Sequence, residues 1–435
     1  MPKITFMGAG STVFAKNVLG DSIMTPALAD STIALYDIDA ARLEESAMML
    51  ENINRNAGGK ARIESYLGVE NRKQALAGAN YVVNAIQVGG YDPCTITDFE
   101  IPKKYGLRQT IADTLGIGGI FRALRTIPVM LDFARDMEAV CPNAWFLNYT
   151  NPMSMLTGAM LTMTPIKTVG LCHSVQVCCS RLLEGLDMPY DEQVQWTIAG
   201  INHQAWLLEI TRDGTDLYPE IKQKALARTE KHDDLVRYEI MKRFGYYVTE
   251  SSEHNSEYMP YFIKHKYPEL IERFGIPLDE YPRRCVEQIQ QWNEQRNELV
   301  NNKQLTHERS REYASYIMEA METNRPIKIG GNVLNRGLIT NLPADAIVEV
   351  PCLVDKSGIA PTVVGALPEQ CAALNRTNIN VHLLTLEAAR TLRKDCIYQA
   401  AMLDPHTAAE LSIDDIVAMC DDLIAAHGDW LPTFS

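Results

Sequence analysis

Close to its start the chain carries a short apolar run, Ile4-Thr5-Phe6-Met7, that stops at Gly8-Ala9-Gly10-Ser11. Such a run reads as a strand, and two glycines spaced by one residue behind it make a turn too tight for bulky side chains. A helical stretch from about Thr12 to Leu19 follows. Strand, glycine turn and helix in that order restrict the fold, because the helix must cross back over a sheet and feed a second, parallel strand. The same arrangement makes an anion site: a pyrophosphate can approach the bare Gly10 backbone and meet the free N–H groups of a helix N-terminus. Gly8, Gly10 and Ser11 are therefore candidate dinucleotide-binding residues. The third glycine of the usual fingerprint is missing, and Val13 stands in its place.

The pattern repeats downstream. Ile33 to Tyr36 reads as a second strand ending at Asp37, whose carboxylate suits the ribose diol of a dinucleotide; Asp39 competes for that role. Ala40 to Asn54 reads as a helix, Tyr81 to Ile86 as a third strand, Ile120 to Val140 as a long helix, and Trp145 to Asn148 and Thr168 to Leu171 as two more strands. Asn84 lies at the end of the third strand, where a dinucleotide continues along the sheet edge. From about residue 195 the helices lengthen and carry more charge, as in Asp234 to Phe244 and Glu280 to Gln304. Strands there are sparser; Leu207 to Thr211 and Ala346 to Val350 are the clearest. Ile413 to His427 reads as an amphipathic helix, and the polar stretch from Asn297 to Arg311 as a solvated helix face or loop. The expected fold class is α/β. A Rossmann-like parallel sheet domain of the lactate/malate dehydrogenase kind covers residues 1–195, and a mixed α/β, helix-rich substrate domain covers residues 196–435.

Composition removes several functions. Against 41 basic residues stand 55 acidic ones, for a formal net charge of -14. Nucleic-acid binding needs a basic surface to displace condensed counterions, and a polybasic membrane anchor needs the same sign of charge. The ten cysteines form no CxxC pair, which argues against a zinc ribbon and for reduced, buried thiols. No signal-type segment precedes the first strand and no apolar run has membrane-spanning length, so the expected location is the cytoplasm.

Two further segments carry chemistry. Cys172 directly follows the strand ending at Leu171, and His203 sits in Gly200-Ile201-Asn202-His203. Taken alone, a cysteine and a histidine are ordinary core residues. Here both fall where the active edge of the sheet must lie, and a thiolate with an imidazole suits a borderline divalent metal with positions left open for substrate. Asn151-Pro152 follows another strand, at a place similar to that of the asparagine between nicotinamide and substrate in lactate and malate dehydrogenases; Pro152 is a candidate cis-proline.

Together these residues resemble glycoside hydrolase family 4, the NAD-dependent glycosidases, over essentially the whole chain. The resemblance is carried by Gly8-Ala9-Gly10-Ser11, Asp113-Thr114-Leu115-Gly116-Ile117-Gly118-Gly119, Asn151-Pro152, Cys172-His173-Ser174-Val175, Asn202-His203, Thr249-Glu250-Ser251-Ser252-Glu253-His254 and His427-Gly428-Asp429-Trp430-Leu431-Pro432. The Cys-His-Ser-Val form is the one associated with the α-galactosidases of the family, and His173-Ser174 argues for an unphosphorylated sugar. The resemblance implies NAD and a divalent cation, typically Mn2+, as cofactors. It implies oxidation at C3 of the sugar, removal of the C2 proton, departure of the aglycone from C1, addition of water and re-reduction, outside the two-carboxylate scheme of most glycosidases. Cys172 and His203 are then the metal ligands, and Asn151, Asn202 and His173 bind substrate. Tyr258 is the candidate base at C2, or else a packed tyrosine. His173 either protonates the leaving oxygen or binds the C4 hydroxyl. Asp113 either takes part as an acid or orients a hydroxyl, or is a turn residue. Of Arg122 and Arg125, one is expected to face the site and the other to be a solvated or paired surface residue, with His254 behind the first ring of contacts. The expected partner is a small α-galactoside of the melibiose type, and the expected assembly a homodimer or homotetramer. The alternatives are an α-galacturonidase or α-glucosidase of the same family, a lactate/malate-type dehydrogenase, and a nucleotide-sensing regulatory protein.

Overall fold

A computed structural model describes residues 1–310 and 312–435; Arg311, the last residue of the polar stretch noted above, lies outside them. Among the described residues thirteen strands share one sheet. They are β1 (Lys3–Met7), β2 (Thr32–Asp37), β3 (Arg62–Leu67), β4 (Tyr81–Asn84), β5 (Trp145–Asn148), β6 (Lys167–Gly170), β7 (Val194–Ile201), β8 (Gln204–Arg212), β9 (Thr215–Asp216), β10 (Tyr247–Val248), β11 (Ile327–Leu334), β12 (Ile347–Asp355) and β13 (Gly358–Pro361). The order β3-β2-β1-β4-β5-β6 is parallel throughout. That is the doubly wound dinucleotide-binding order, as the glycine turn and the alternating pattern require. Beyond β6 the sheet continues through β11, β12, β7, β8 and β10, all antiparallel.

Side chains alternate between the two faces of the parallel strands, and both faces are buried. Ile4, Phe6, Val83 and Leu147 pack into one core with the helices Thr12–Met24 and Ala40–Asn56. Met7, Val82 and Phe146 pack into a second core with the helices Gly116–Val140 and Ile413–His427. A third, smaller core lies over β7 and β8, beneath the helix His173–Gly185.

The elements expected from sequence are present, with shifted ends. The first helix runs on to Met24, the third strand stops at Asn84, and the long helix starts earlier, at Gly116. The second half holds more strand than its sequence suggests, because β7 and β11 are each 8 residues long. They were obscured by glycines (Gly200, Gly330 and Gly331) within otherwise strand-like runs. A glycine also joins the two sets of strands. Gly170 of β6 pairs with Asn332 of β11, and a Cβ at Gly170 would stand 2.5 Å from Thr157 Oγ1 and 2.9 Å from the Asn332 Cβ.

The helix Glu369–Thr391 packs against the helices Gly116–Val140 and Met153–Met163 and buries His382 with neither ring nitrogen hydrogen-bonded among the described residues. Burial lowers its pKa from 6.5 to about 3. The unfolded chain therefore takes up a proton as pH falls below about 6.5 while the folded chain does not, so this histidine costs stability on acidification, on the order of 1 kcal/mol per pH unit. We expect His382→Leu to lose less Tm than the parent between pH 7 and pH 5, measured by thermal unfolding at each pH.

Candidate active site

The carboxyl ends of β1, β2 and β4 build the first part of the site. Gly8 has φ +89, and a Cβ there would lie 2.8 Å from the Ala85 carbonyl oxygen, so only glycine lets the turn close against the end of β4. The helix Thr12–Met24 has no side-chain cap from Ser11 and no acid in its first turn. Its leading N–H groups are therefore free for an anion. Asp37 Oδ2 accepts from Gly10 N at 2.5 Å, which ties the end of β2 to the glycine loop. Asp39, the competing acid, is instead an N-cap: its Oδ1 accepts from Arg42 N at 3.1 Å. Asn84 Nδ2 donates to Asn148 Oδ1 (2.9 Å) and Thr150 Oγ1 (3.2 Å), while Asn84 Oδ1 is buried with no partner among the described residues. A glycine turn, an uncapped helix and an orphaned carboxamide oxygen in sequence along one edge fit a dinucleotide.

Beyond β6 lies the second part. Cys172 precedes the helix His173–Gly185, and its Sγ is 3.2 Å from Ser174 Oγ. His203 occupies the two-residue turn between β7 and β8 with φ +64. Glu250 follows β10 and also has φ +64. Left-handed backbone is uncommon outside glycine, and two such residues facing each other mark a place where packing dictates side-chain direction. One ligand atom from each of Cys172, His203 and Glu250 lies within 4.8 Å of the others. Glu250 was not assigned a role from sequence; it stands within the quoted Thr249–His254 signature, but no spacing rule singles it out.

Electrostatics favour a cation here. Burial alone would lower the His203 pKa, yet Glu250 and Cys172 outweigh it and hold the ring at about 10. Burial would raise Glu250, but His203 and His254 bring it down to about 2. Burial drives Tyr258 well above the usual phenol value, and the charges of Asp113, Glu257, Glu250 and Cys172 add to that. A borderline nitrogen, a soft sulfur and a hard oxygen held this close, in an excess of negative charge, fit a divalent metal of the manganese or zinc kind.

The other candidates gather around this cluster. Tyr258 is fully buried with its hydroxyl 3.0 Å from His203 Nδ1, and His203 Nε2 is 3.3 Å from Glu250 Oε2. Asn151 forms a cis peptide with Pro152, its Nδ2 is 3.4 Å from Asp113 Oδ2, and its own Oδ1 is buried with no partner among the described residues. Asp113 also accepts from Thr114 Oγ1 at 2.8 Å. His254 donates or accepts at Ser251 Oγ, 2.7 Å away, and spans from Glu250 to Asp113. The Asn202 carboxamide is buried, with Nδ2 3.5 Å from Glu349 Oε1. Glu349, raised to about 7 by burial, is a second acid that the sequence did not single out. His173 stands at the rim with its Nε2 2.6 Å from Glu312 Oε2. Arg122 faces inward, donating to Tyr281 OH at 3.2 Å. Arg125 departs from the expectation of a surface residue. It is 1% exposed, doubly hydrogen-bonded to Asp98 and bonded to the Val88 carbonyl. Those partners satisfy the guanidinium and make its burial tolerable.

A parallel sheet with a dinucleotide edge, opening onto a Cys-His-Glu cluster, is the architecture of a nicotinamide-dependent metalloenzyme. Residues 3–188 match the model of the family 4 glycosyl hydrolases and residues 198–407 match that of the family 4 glycosyl hydrolase C-terminal domain. The chain belongs to glycosyl hydrolase family 4. It is 65% identical over 435 residues to an alpha-galactosidase of Bacillus subtilis (strain 168), covering 100% of both chains. It is 35% identical over 449 residues to an alpha-galactosidase of Rhizobium meliloti (strain 1021), covering 100% of this chain and 90% of that one. Its fold matches a solved 6-phospho-alpha-glucosidase from gut microorganisms in complex with NAD and Mn2+, with a TM-score of 0.83, 19% identity and coverage of 100% of both chains. Among the described residues no helix is long and apolar enough to cross a membrane.

Two substitutions test this geometry. Gly8→Ala drives a methyl into the Ala85 carbonyl and is expected to abolish NAD+ binding in a fluorescence titration. Glu250→Gln removes a charged oxygen from the cluster and is expected to weaken Mn2+ binding by about tenfold or more by calorimetry.

Proposed function

We propose that this chain hydrolyses α-galactosides of the melibiose type, using NAD and a divalent metal, Mn2+ by preference. The observation that carries this reading is the end-to-end 65% identity to an alpha-galactosidase, combined with a Cys172, His203 and Glu250 cluster beside the glycine loop. Bound NAD+ supplies a reversible hydride acceptor, and the metal a Lewis acid for neighbouring sugar hydroxyls.

The residues divide the remaining work. Gly8, Gly10, Ser11, Asp37 and Asn84 hold the dinucleotide along the sheet edge. Cys172 and His203, joined by Glu250, hold the metal. With His203 Nε2 turned towards Glu250, Nδ1 is left to Tyr258, whose hydroxyl fixes the ring's orientation from behind. The same hydroxyl is the group assigned to take the proton from C2, and a metal bound at the cluster would supply the positive charge needed to bring down a pKa that burial and the surrounding acids raise. Asn151 and Asn202 are assigned to the sugar hydroxyls, with Asp113 orienting Asn151 at 3.4 Å. His173, at the open rim, is assigned to the leaving oxygen or the C4 hydroxyl.

Residues 1–195 form the NAD-binding part and residues 196–435 the substrate and metal part in this reading. The ten cysteines, all buried and unpaired, support a reducing, cytoplasmic location. The homodimer or homotetramer is the assembly implied by the resemblance, and sedimentation tests it.

The deciding assay uses protein stripped with chelator and dialysed, p-nitrophenyl α-galactoside as substrate, and NAD+ and Mn2+ added singly and together. We expect nitrophenol release only with both present and no net NADH. Activity with neither would overturn the reading, and net NADH would favour a dehydrogenase. Faster turnover of the galacturonide or glucoside would move the chain to the relatives with those activities. We also expect Tyr258→Phe to lower kcat by about 10²-fold or more, the ordinary contribution of a general base.

A further inference from the structure

His173 has two nitrogens with which to meet a sugar, and one of them is already taken. Its Nε2 lies 2.6 Å from Glu312 Oε2, and the Glu312 side chain is 15% exposed against 49% for His173. The imidazole packs edge-on against Phe14 (6.4 Å between ring centres) and tilted against Tyr149 (5.9 Å). Glu312 is itself held. Its backbone N–H donates to Ser310 Oγ at 3.2 Å, and that hydroxyl donates to Asp21 Oδ2 at 2.6 Å. Asp21, fully buried in the first helix, also accepts from Ser310 N (2.7 Å) and pairs with His307 Nε2 (2.6 Å). Two residues on, Ala314 N donates to Tyr149 OH at 2.9 Å. Ser310 and Ala314, two residues to either side of Glu312, are thus tied to the elements that carry Phe14 and Tyr149.

We propose that Glu312 is the positioning residue of His173, taking Nε2 out of use so that Nδ1 is the nitrogen presented to the sugar. A carboxylate accepts from the imidazole N–H, which fixes which nitrogen carries the proton and which way the ring faces. Without it the half-exposed ring turns between rotamers and offers either nitrogen. The proposal rests on the glycosidase reading for the identity of the sugar, but the Glu312–His173 coupling is testable without it.

The experiment compares the NAD+- and Mn2+-loaded parent with Glu312→Ala, Glu312→Gln, His173→Ala and the double variant Glu312→Ala/His173→Ala. Two readouts are taken: kcat and KM on p-nitrophenyl α-galactoside, and the rate at which diethyl pyrocarbonate modifies His173, followed by mass spectrometry in the variants that retain it. We expect Glu312→Ala to lose about 10- to 100-fold in kcat/KM, the usual effect of removing an orienting partner. Glu312→Gln, whose amide oxygen still accepts, should recover most of that. The double variant should be no worse than His173→Ala, since a residue acting through another contributes nothing once that other is gone. His173 should be modified several-fold faster in Glu312→Ala, with Tm and the Kd for NAD+ unchanged. Losses that multiply in the double variant, or an unchanged modification rate, would overturn the proposal. A parent inactive on the galactoside would overturn the proposed substrate, and the modification rates would still decide whether Glu312 holds His173.

Discussion

The absence of a side chain at Gly170 lets a parallel sheet become an antiparallel one without a break. At that residue the last parallel strand, β6, meets β11, and the space a Cβ would need is filled by Thr157 and Asn332. Because the strands stay in one sheet, Cys172, two residues beyond the junction, is brought to the turn between β7 and β8 that carries His203. The cofactor edge belongs to the parallel strands and most of the metal-facing groups to the antiparallel ones, so chemistry that needs both depends on this join.

Charge is the second organising constraint. Burying Glu250, Asp113 and a cysteine around two imidazoles, His203 and His254, and one phenol is unfavourable without a counter-charge, and the protonated His203 supplies only part of it. The left-handed backbone at both His203 and Glu250 shows that the surrounding packing holds these side chains together against their local preference. A divalent cation held by Cys172, His203 and Glu250 would answer the imbalance and would supply a Lewis acid for the hydroxyls of a sugar. The more distant Asp98–Arg125–His427 group is built differently: Arg125 and Asp98 satisfy each other's charge and His427 Nε2 joins them, which anchors the C-terminal helix.

Much of the dinucleotide half was legible in sequence because its signals are local. The run Ile4 to Met7, the glycines behind it and the acid at Asp37 each report on neighbours within a few residues, and the parallel order follows from their repetition. Cys172 and His203 were legible for a weaker reason, their places at strand ends. Glu250 and Glu312 were not, since an acid in a mixed polar stretch has the same local pattern whether it faces solvent or a metal, and Glu349, a lone acid in the apolar run Ala346 to Val350, carried a signal that strand pattern alone does not interpret. Arg125 was misjudged on the same ground: a helical arginine looks like a surface residue until Asp98 and the Val88 carbonyl are found opposite it.

The sequence by itself therefore determined the class of fold, the nucleotide edge, the family and the cysteine-histidine pair. Hydrophobic period and glycine placement are properties of adjacent residues, and the motifs are short enough to stand without their surroundings. Only the tertiary structure decided which carboxylates join them. Glu250 comes to Cys172 across the β7–β8 turn, and Glu312 comes to His173 across a segment anchored on Asp21. Such approaches are set by sheet order and by packing between strands distant in sequence, and side-chain chemistry at a single position carries no record of them.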